Sequence, residues 1–351
     1  MLADSTQAPD WFGAILSDLL ERRNLQAEQM GLLMHGMLSD RLTDTDRAAA
    51  LIALRMKGET AEELAVAARV LREHAVVLDP RRPGVLDTCG TGGDGLSTFN
   101  ISTATAFVVA AAGVPVVKHG NRAVSSTTGS ADVLAVLGVS PQADPHRCLD
   151  AAQMAFCLAP LYHPAVGAAT AAVRRRLGVR TVFNALGPLC NPASAPYQLL
   201  GVGRAEWLDP MAQALAQLGV RRAALVHADD GLDEVSLTAP TQVRLVQGET
   251  VMPLTWTAAD FGLPGTTIAQ LQAADANASA AIIRAILAGH GGPTREVVLA
   301  NAAAALWVAG VVANLREGVQ RAAQAIDSGG ARRVLDALVE ISRQDAPTKH
   351  G

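Results

Sequence analysis

A chain of 351 residues, half of them hydrophobic, is long enough to bury one large core or a large domain with a small one beside it. Only 18% of the residues are charged and the formal net charge is −4. This composition excludes a disordered chain and argues against a nucleic-acid or anionic-membrane partner.

Residues 1–20 lack the basic segment of a secretory signal, so a cytoplasmic location is expected. The four cysteines, Cys89, Cys148, Cys157 and Cys190, show no paired metal spacing and are expected as reduced thiols. Two long apolar stretches, Val297 to Leu315 and Ile101 to Val117, are interrupted by Asn301, Asn314 and Pro115. They read as buried helices rather than membrane spans.

Residues 10–80 carry helical patterning. Leu16, Leu19 and Leu20 recur at helical spacing, as do Leu32, Leu33, Met37 and Leu38. Thr43-Asp44-Thr45-Asp46 predicts a helix start ahead of Arg47 to Met56. Gly58-Glu59-Thr60 breaks that helix, and Ala61 to Val76 predicts the next. Residues 1–80 are therefore expected to form a small all-helical domain, whose apolar faces could also bury a partner subunit.

Asp79 to Gly84 reads as a turn and a domain boundary. Beyond it, over 83–344, short apolar runs alternate with helix-like segments. Val85 to Asp87, Val114 to Val117, Ala223 to Val226 and Val243 to Val246 are the strand candidates, and Arg180 to Asn184 is another or a strand-to-loop passage. The alternation predicts a large α/β domain with a central, mostly parallel sheet flanked by helices. Asp345 to Gly351 reads as a frayed tail.

Two polar, glycine-rich loops follow predicted strands. The first is Cys89 to Asp94, with Ser97, Thr98, Asn100, Ser102 and Thr103 ahead of a very apolar helix predicted over Ile101 to Ala112. Glycines let backbone N–H groups approach a ligand with no Cβ in the way, and such a nest favours anions. Free N–H groups at the helix start add to it. The spacing matches neither the P-loop nor the dinucleotide fingerprint; the plainer alternative is a tight turn with a helix cap. The second loop, Lys118 to Ser126, adds Lys118, His119 and Arg122 among small polar residues. Loops at the carboxyl ends of two strands converge on one crevice in an open sheet. Their cations and hydroxyls suit a multiply charged phosphate.

Further on, Asp233 and Glu234 sit side by side after Asp229-Asp230-Gly231. Hard oxygen ligands on a turn suit Mg²⁺, although acidic surface turns are also common. Arg174-Arg175-Arg176 offers a fork for a planar carboxylate, or simply a solvated helix face. His163, before Pro164, reads as a loop residue, equally structural or functional.

Taken in order, these segments resemble the anthranilate phosphoribosyltransferase family. Ala53 to Thr60 is similar to its helical signature, Asp87 to Asp94 to its G-T-G-G-D motif, and Asn100 to Thr103 to its N-x-S-T motif. Lys118 to Ser126 and Gly129 to Asp132 resemble its K-H-G-N-R-x-x-S-S and G-S-A-D segments. Phe183 to Pro192, Gly231 to Thr238 and Asn301 to Gly310 complete a resemblance that covers nearly the whole chain.

The resemblance implies transfer of the phosphoribosyl group of 5-phosphoribosyl 1-diphosphate to the amine of anthranilate, with Mg²⁺ as cofactor. It also implies a homodimer formed through the helical domain, which a helical segment near 160–180 joins. By resemblance, Gly90, Gly93, Asp94, Thr98, Asn100, Ile101, Ser102 and Thr103 hold the phosphoribosyl diphosphate. Lys118, His119, Gly120, Asn121, Arg122, Ala123, Val124, Ser125, Ser126 and Ser130 do so from the second loop. Gly90, Asn121, His163 and Arg174 meet anthranilate, with Arg175 and Arg176 as alternatives for the carboxylate. Ser102, Asp233 and Glu234 take Mg²⁺. Lys118, Asp233, Glu234 and Arg174 act by electrostatics and positioning, with no general base assigned.

The chain departs from the family pattern at Thr127-Thr128, where many relatives have Lys-Ser, and at Val166, where methionine is common. The rivals are a nucleoside phosphorylase-like enzyme and a non-catalytic nucleic-acid-binding relative. The Asn100–Thr103 motif, the Lys118 loop and the Asp233-Glu234 pair count against the first; the negative net charge and intact loops count against the second.

Overall fold

The computed structural model describes residues 9–123 and 128–345. Four helices open the chain: α1 (Asp10–Leu20), α2 (Ala27–Met37), α3 (Asp44–Lys57) and α4 (Ala61–Glu73). The starts of α3 and α4 are reciprocal caps. Thr43 Oγ1 accepts the Asp46 N–H at 3.2 Å while the Asp46 carboxylate accepts the Thr43 N–H at 2.9 Å. Thr60 and Glu63 repeat the pattern at 3.2 and 2.8 Å. Glu63 also accepts the Leu25 N–H at 2.8 Å and pairs with Lys57 at 2.7 Å, tying α4 to α2 and α3. Helix α4 stops short of the predicted Val76, whose N–H is drawn to Tyr162 O at 2.8 Å.

Seven strands follow: β1 (Leu86–Gly90), β2 (Val116–Gly120), β3 (Met154–Leu158), β4 (Tyr197–Gly201), β5 (Arg222–Ala228), β6 (Thr241–Gln247) and β7 (Thr250–Trp256). They form one sheet in the order β3-β2-β1-β4-β5-β6-β7. The first five are parallel, and β6 and β7 run antiparallel. Helix α5 (Ile101–Ala111) joins β1 to β2, and α6 (Ser130–Leu137) and α7 (Pro145–Ala152) join β2 to β3. The return to β4 runs through α8 (Ala159–Tyr162), α9 (Pro164–Leu177) and α10 (Val182–Leu186), and α11 (Ala205–Gln217) leads to β5. After the sheet come α12 (Ala258–Phe261), α13 (Ala276–Leu287), α14 (Pro293–Val308), α15 (Leu315–Asp327) and α16 (Gly330–Gln344).

The period of two along a strand separates two cores. On β5, Ala224, Val226 and Ala228 face the core built with α5 and α14, whereas Ala223 and Leu225 face the other. That second core also holds Leu64 and Leu71 of α4, Leu51 of α3 and Trp207 of α11. The turn at 79–84 thus separates elements along the chain, while the helical segment shares a hydrophobic core with one face of the sheet.

Two expectations are corrected. Arg180 to Asn184 is not a strand: Thr181 precedes α10, and its N–H is accepted by Asn184 Oδ1 at 3.0 Å. The β-branched Thr181 and Val182 suggested a strand, but the cap decides for helix. Asp345 is not frayed: its carboxylate accepts the Asp144 N–H at 2.9 Å and pairs with Arg147. Residues 346–351 lie outside the described residues. Strands β3, β4 and β7 were not predicted. Among the described residues no helix is long and apolar enough to cross a membrane. All four cysteines are buried and free.

Asn301 of α14 fixes the acidic turn beneath the sheet's carboxyl edge. Its amide accepts the Val235 N–H at 2.9 Å and donates to Val235 O at 3.0 Å and Val297 O at 2.9 Å, fully buried. Asn301→Leu strands two buried backbone groups, so a loss of about 2–4 kcal/mol in unfolding free energy is expected by urea titration. A loss below about 0.5 kcal/mol contradicts this role.

Candidate active site

Between β1 and β4 the chain reverses its direction of travel across the sheet, which is where an open α/β sheet forms a crevice at its carboxyl edge. A cavity of about 470 Å³ lies there. Its walls come from the loops after β1 and β2, the start of α5, the turn after β5, and α9 and α10.

The loop after β1 is held open by its glycines. Gly92, Gly93 and Gly95 take φ of +64°, +74° and +77°, a region other residues avoid. Thr91 N–H donates to Gly201 O at 2.9 Å, and Thr91 Oγ1 accepts the Gly203 N–H at 2.8 Å, locking the loop to the end of β4. Among the described residues no protein group accepts the N–H of Gly92, Gly93 or Asp94. These donors form an anion nest.

Lys118, on β2, is 2% exposed. Its Nζ donates to Thr88 O of β1 and, at 3.1 Å, to Ser102 Oγ of α5. Asp87, on β1, is fully buried, with Oδ1 accepting the His119 N–H at 3.1 Å and Oδ2 accepting Asn191 Nδ2 at 2.7 Å. Burial lowers the Lys118 pKa and raises that of Asp87, and the attraction between the two opposes both shifts.

The turn after β5 brings in the carboxylates. Glu234 Oε1 accepts the Ser102 N–H at 3.0 Å, so the same serine joins Lys118 and Glu234. Burial pushes the Glu234 carboxyl up to about 7, against the pull of Lys118. Asp233 is raised well above the usual range by burial and then by its neighbours Asp94 and Glu234. Three acids crowding one floor invite a cation. The donors are all oxygens, which suits Mg²⁺. Among the described residues no three acids, histidines or cysteines enclose a metal by themselves.

On the opposite wall, the Arg174 guanidinium lies over the Phe183 ring, 5.1 Å from its centroid. Burial lowers its pKa. Arg175 and Arg176 are exposed and take no part in the wall, while Val173 is buried. His119 Nδ1 donates to Gly187 O at 3.2 Å, and burial holds the ring neutral, with a pKa of about 3.

Gly90, Gly93, Asp94, Thr98, Asn100, Ile101, Ser102, Lys118, His119, Gly120, Asn121, Arg122, Ser130, Arg174, Asp233 and Glu234 all line the cavity. Three expected residues do not. Thr103 points into the core beneath α5, and Ala123 stands at the loop's edge with its N–H on Asp132 at 2.8 Å. His163 is buried behind His119, ring centroids 5.1 Å apart, and donates to Cys190 O at 2.9 Å. Val124, Ser125, Ser126 and Thr127 lie outside the described residues.

Three contacts escaped the sequence reading. Ser279 of α13 donates to Asn100 Oδ1 at 2.9 Å and accepts the Asn100 N–H at 3.0 Å. Thr128 Oγ1 also donates to Asn100 Oδ1 at 2.9 Å. With its oxygen pinned by two hydroxyls, Asn100 is left its amide donors to offer. Arg180, expected in a strand, instead donates from Nη2 to Gly92 O at 2.6 Å. None of these contacts leaves a local signal in the sequence.

A helical segment sharing a core with an α/β sheet, and a phosphate nest beside a carboxylate pair, define a two-part glycosyl transferase. Residues 82–332 match the glycosyl transferase family a/b domain, and residues 14–75 match the family's helical bundle domain. Within that class the chain belongs to the anthranilate phosphoribosyltransferase family. It is 46% identical over 334 residues to the anthranilate phosphoribosyltransferase of Symbiobacterium thermophilum, covering 94% of this chain and 98% of the relative. It is 49% identical over 327 residues to that of Anaeromyxobacter dehalogenans strain 2CP-C, covering 92% and 96%. The crystal structure of anthranilate phosphoribosyltransferase from Thermus thermophilus superposes with a TM-score of 0.86 at 39% identity, covering 94% of this chain and 99% of that one. The Saccharomyces cerevisiae protein in complex with PRPP and Mg gives 0.85 at 27% identity, covering 95% and 98%.

The crowded acids carry a stability cost. The raised carboxyl of Asp233 means that its ionisation opposes folding. Asp233→Asn removes that charge and gives Asp94 a donor. In EDTA at pH 7.5 the variant is expected to melt about 2–4 °C above the wild type. A lower melting temperature contradicts the repulsion described here.

Proposed function

We propose that the chain transfers the phosphoribosyl group of 5-phosphoribosyl 1-diphosphate to the anthranilate amine, releasing pyrophosphate, in tryptophan biosynthesis. The observation that carries this reading is the meeting, on one cavity, of an anion nest, a carboxylate pair and an arginine-topped aromatic wall. The identity of 46–49% to anthranilate phosphoribosyltransferases over most of the chain supports it.

The N–H groups of Gly92, Gly93 and Asp94 and the start of α5 hold the diphosphate oxygens. Lys118 places its positive charge where the leaving pyrophosphate gains negative charge. Asp233 and Glu234 hold Mg²⁺, with Ser102 beside them. When bound, Mg²⁺ neutralises diphosphate charge and makes pyrophosphate a better leaving group. Arg174 takes the anthranilate carboxylate, with Asn121 and Gly90 facing it across the cavity. The amine nitrogen forms a bond to the anomeric carbon as the bond to the pyrophosphate oxygen breaks, and the nitrogen gives up one proton. An aromatic amine is already a free base near neutral pH, so no residue need deprotonate it before attack.

The chain acts as a homodimer in the cytoplasm. Leu20 (71% exposed), Leu32, Ile52 and Met56 (65% exposed) are large apolar side chains exposed on α1 to α3, which supports burial against a second copy.

Loss of anthranilate fluorescence tests this reading. It is expected only when protein, 5-phosphoribosyl 1-diphosphate and Mg²⁺ are all present. In the same assay Arg174→Leu is expected to raise the KM for anthranilate about tenfold or more and leave that for 5-phosphoribosyl 1-diphosphate within about twofold. No fluorescence loss with the folded wild type contradicts the function; an unchanged KM contradicts the role of Arg174.

A further inference from the structure

We propose that Arg180 is a positioning residue for the transfer reaction, a clamp that sets the first glycine loop in the shape that receives the diphosphate. The proposal rests on the functional reading above and extends it to a residue that does not line the cavity.

The loop from Gly92 to Gly95 has little of its own to hold it. Three of its four residues are glycines in the left-handed region, and Asp94 uses its carboxylate to accept the Leu96 N–H at 3.0 Å. Glycine segments have the most conformational freedom to lose on ordering. Arg180 supplies the missing constraint from outside. Its Nη2 donates to Gly92 O at 2.6 Å, and its guanidinium fills the space that a Cβ on Gly93 would take. The peptide joining Gly92 and Gly93 is planar and trans. Fixing its carbonyl on Arg180 therefore turns the Gly93 N–H to the opposite side, where among the described residues no protein group accepts it.

Charge acts in the same direction. The Arg180 guanidinium is attracted by the carboxylates of Asp233 and Asp94. Its Nη1 is buried without a hydrogen-bond partner among the described residues.

The position of Arg180 in the chain gives the clamp a second consequence. It lies between Gly178, which ends α9 with φ +64°, and Thr181, which starts α10. Helix α9 carries Arg174, and α10 carries Phe183 and Asn184, all on the far wall of the cavity. One side chain thus spans from the segment that builds the acceptor wall to the loop that builds the donor wall.

The test compares wild type, Arg180→Met and Arg180→Lys in steady-state kinetics, in calorimetric binding of inorganic pyrophosphate with Mg²⁺, and in thermal melting. Arg180→Met is expected to raise the KM for 5-phosphoribosyl 1-diphosphate and the Kd for pyrophosphate about tenfold, with the KM for anthranilate within about twofold. Arg180→Lys keeps a charge and a donor for Gly92 O, and is expected to recover most of the pyrophosphate affinity. A folded Arg180→Met variant with both diphosphate constants within about twofold of wild type overturns the proposal. So does an equal loss for both substrates accompanied by early melting, which marks a structural residue only. If wild type itself fails to consume anthranilate, the functional reading falls, and the pyrophosphate arm still decides the clamp.

Discussion

Lys118 brings an ammonium into the protein interior, and the cavity is arranged around keeping it there. An unpaired buried charge costs several kcal/mol, so partners must come from several directions. They do: Thr88 O from β1, Ser102 Oγ from α5, and the fields of Asp87 and Glu234. The partners belong to three parts of the site. Satisfying one lysine therefore fixes the end of β1, the start of α5 and the acidic turn relative to one another. Asp87 extends the network through Asn191 to Val117 O, at 2.8 Å, and so back to the strand that carries the lysine.

The acceptor wall depends on a different set of ties. Arg72 of α4 donates to Leu189 O from both Nε and Nη2, at 3.0 and 2.6 Å. His163 donates to Cys190 O next along the chain. These bonds hold the turn at Gly187 and Pro188, which closes the cavity beside His119. The helical segment thus reaches the chemistry by bracing one wall of the site while sharing its core with the sheet. Repulsion among Asp94, Asp233 and Glu234 is tolerated because Asn301 and Asp230 hold the turn from below, through Val235 and Ser236. A site that stores such strain without ligand is stabilised when a cation and an anion fill it together.

Much of this was legible in the sequence where the signal is local. The helix start at Thr43, the break at Gly58 to Thr60, the glycine loops and strands β1, β2, β5 and β6 follow from neighbouring residues. Strand β3, Met-Ala-Phe-Cys-Leu, is an apolar run of five whose periodicity cannot separate strand from buried helix. Strand β4 is equally short, and β7 runs at the sheet's edge, partly exposed. Most residues that line the cavity were named from the sequence because family motifs are contiguous. Ser279 meets Asn100 across 179 positions and Arg180 meets Gly92 across 88, distances over which no spacing rule operates. His163 was placed on the wall by its motif; packing sets it one ring behind.

The most direct measurement is anomalous scattering from crystals grown with Mn²⁺ in place of Mg²⁺ and soaked with 5-phosphoribosyl 1-diphosphate. A metal peak in bonding contact with the Asp233 or Glu234 carboxylate, with the diphosphate on the N–H groups of Gly92 to Asp94, is the predicted result. A diphosphate bound away from the first glycine loop, or a metal with no contact to either carboxylate, would contradict the account.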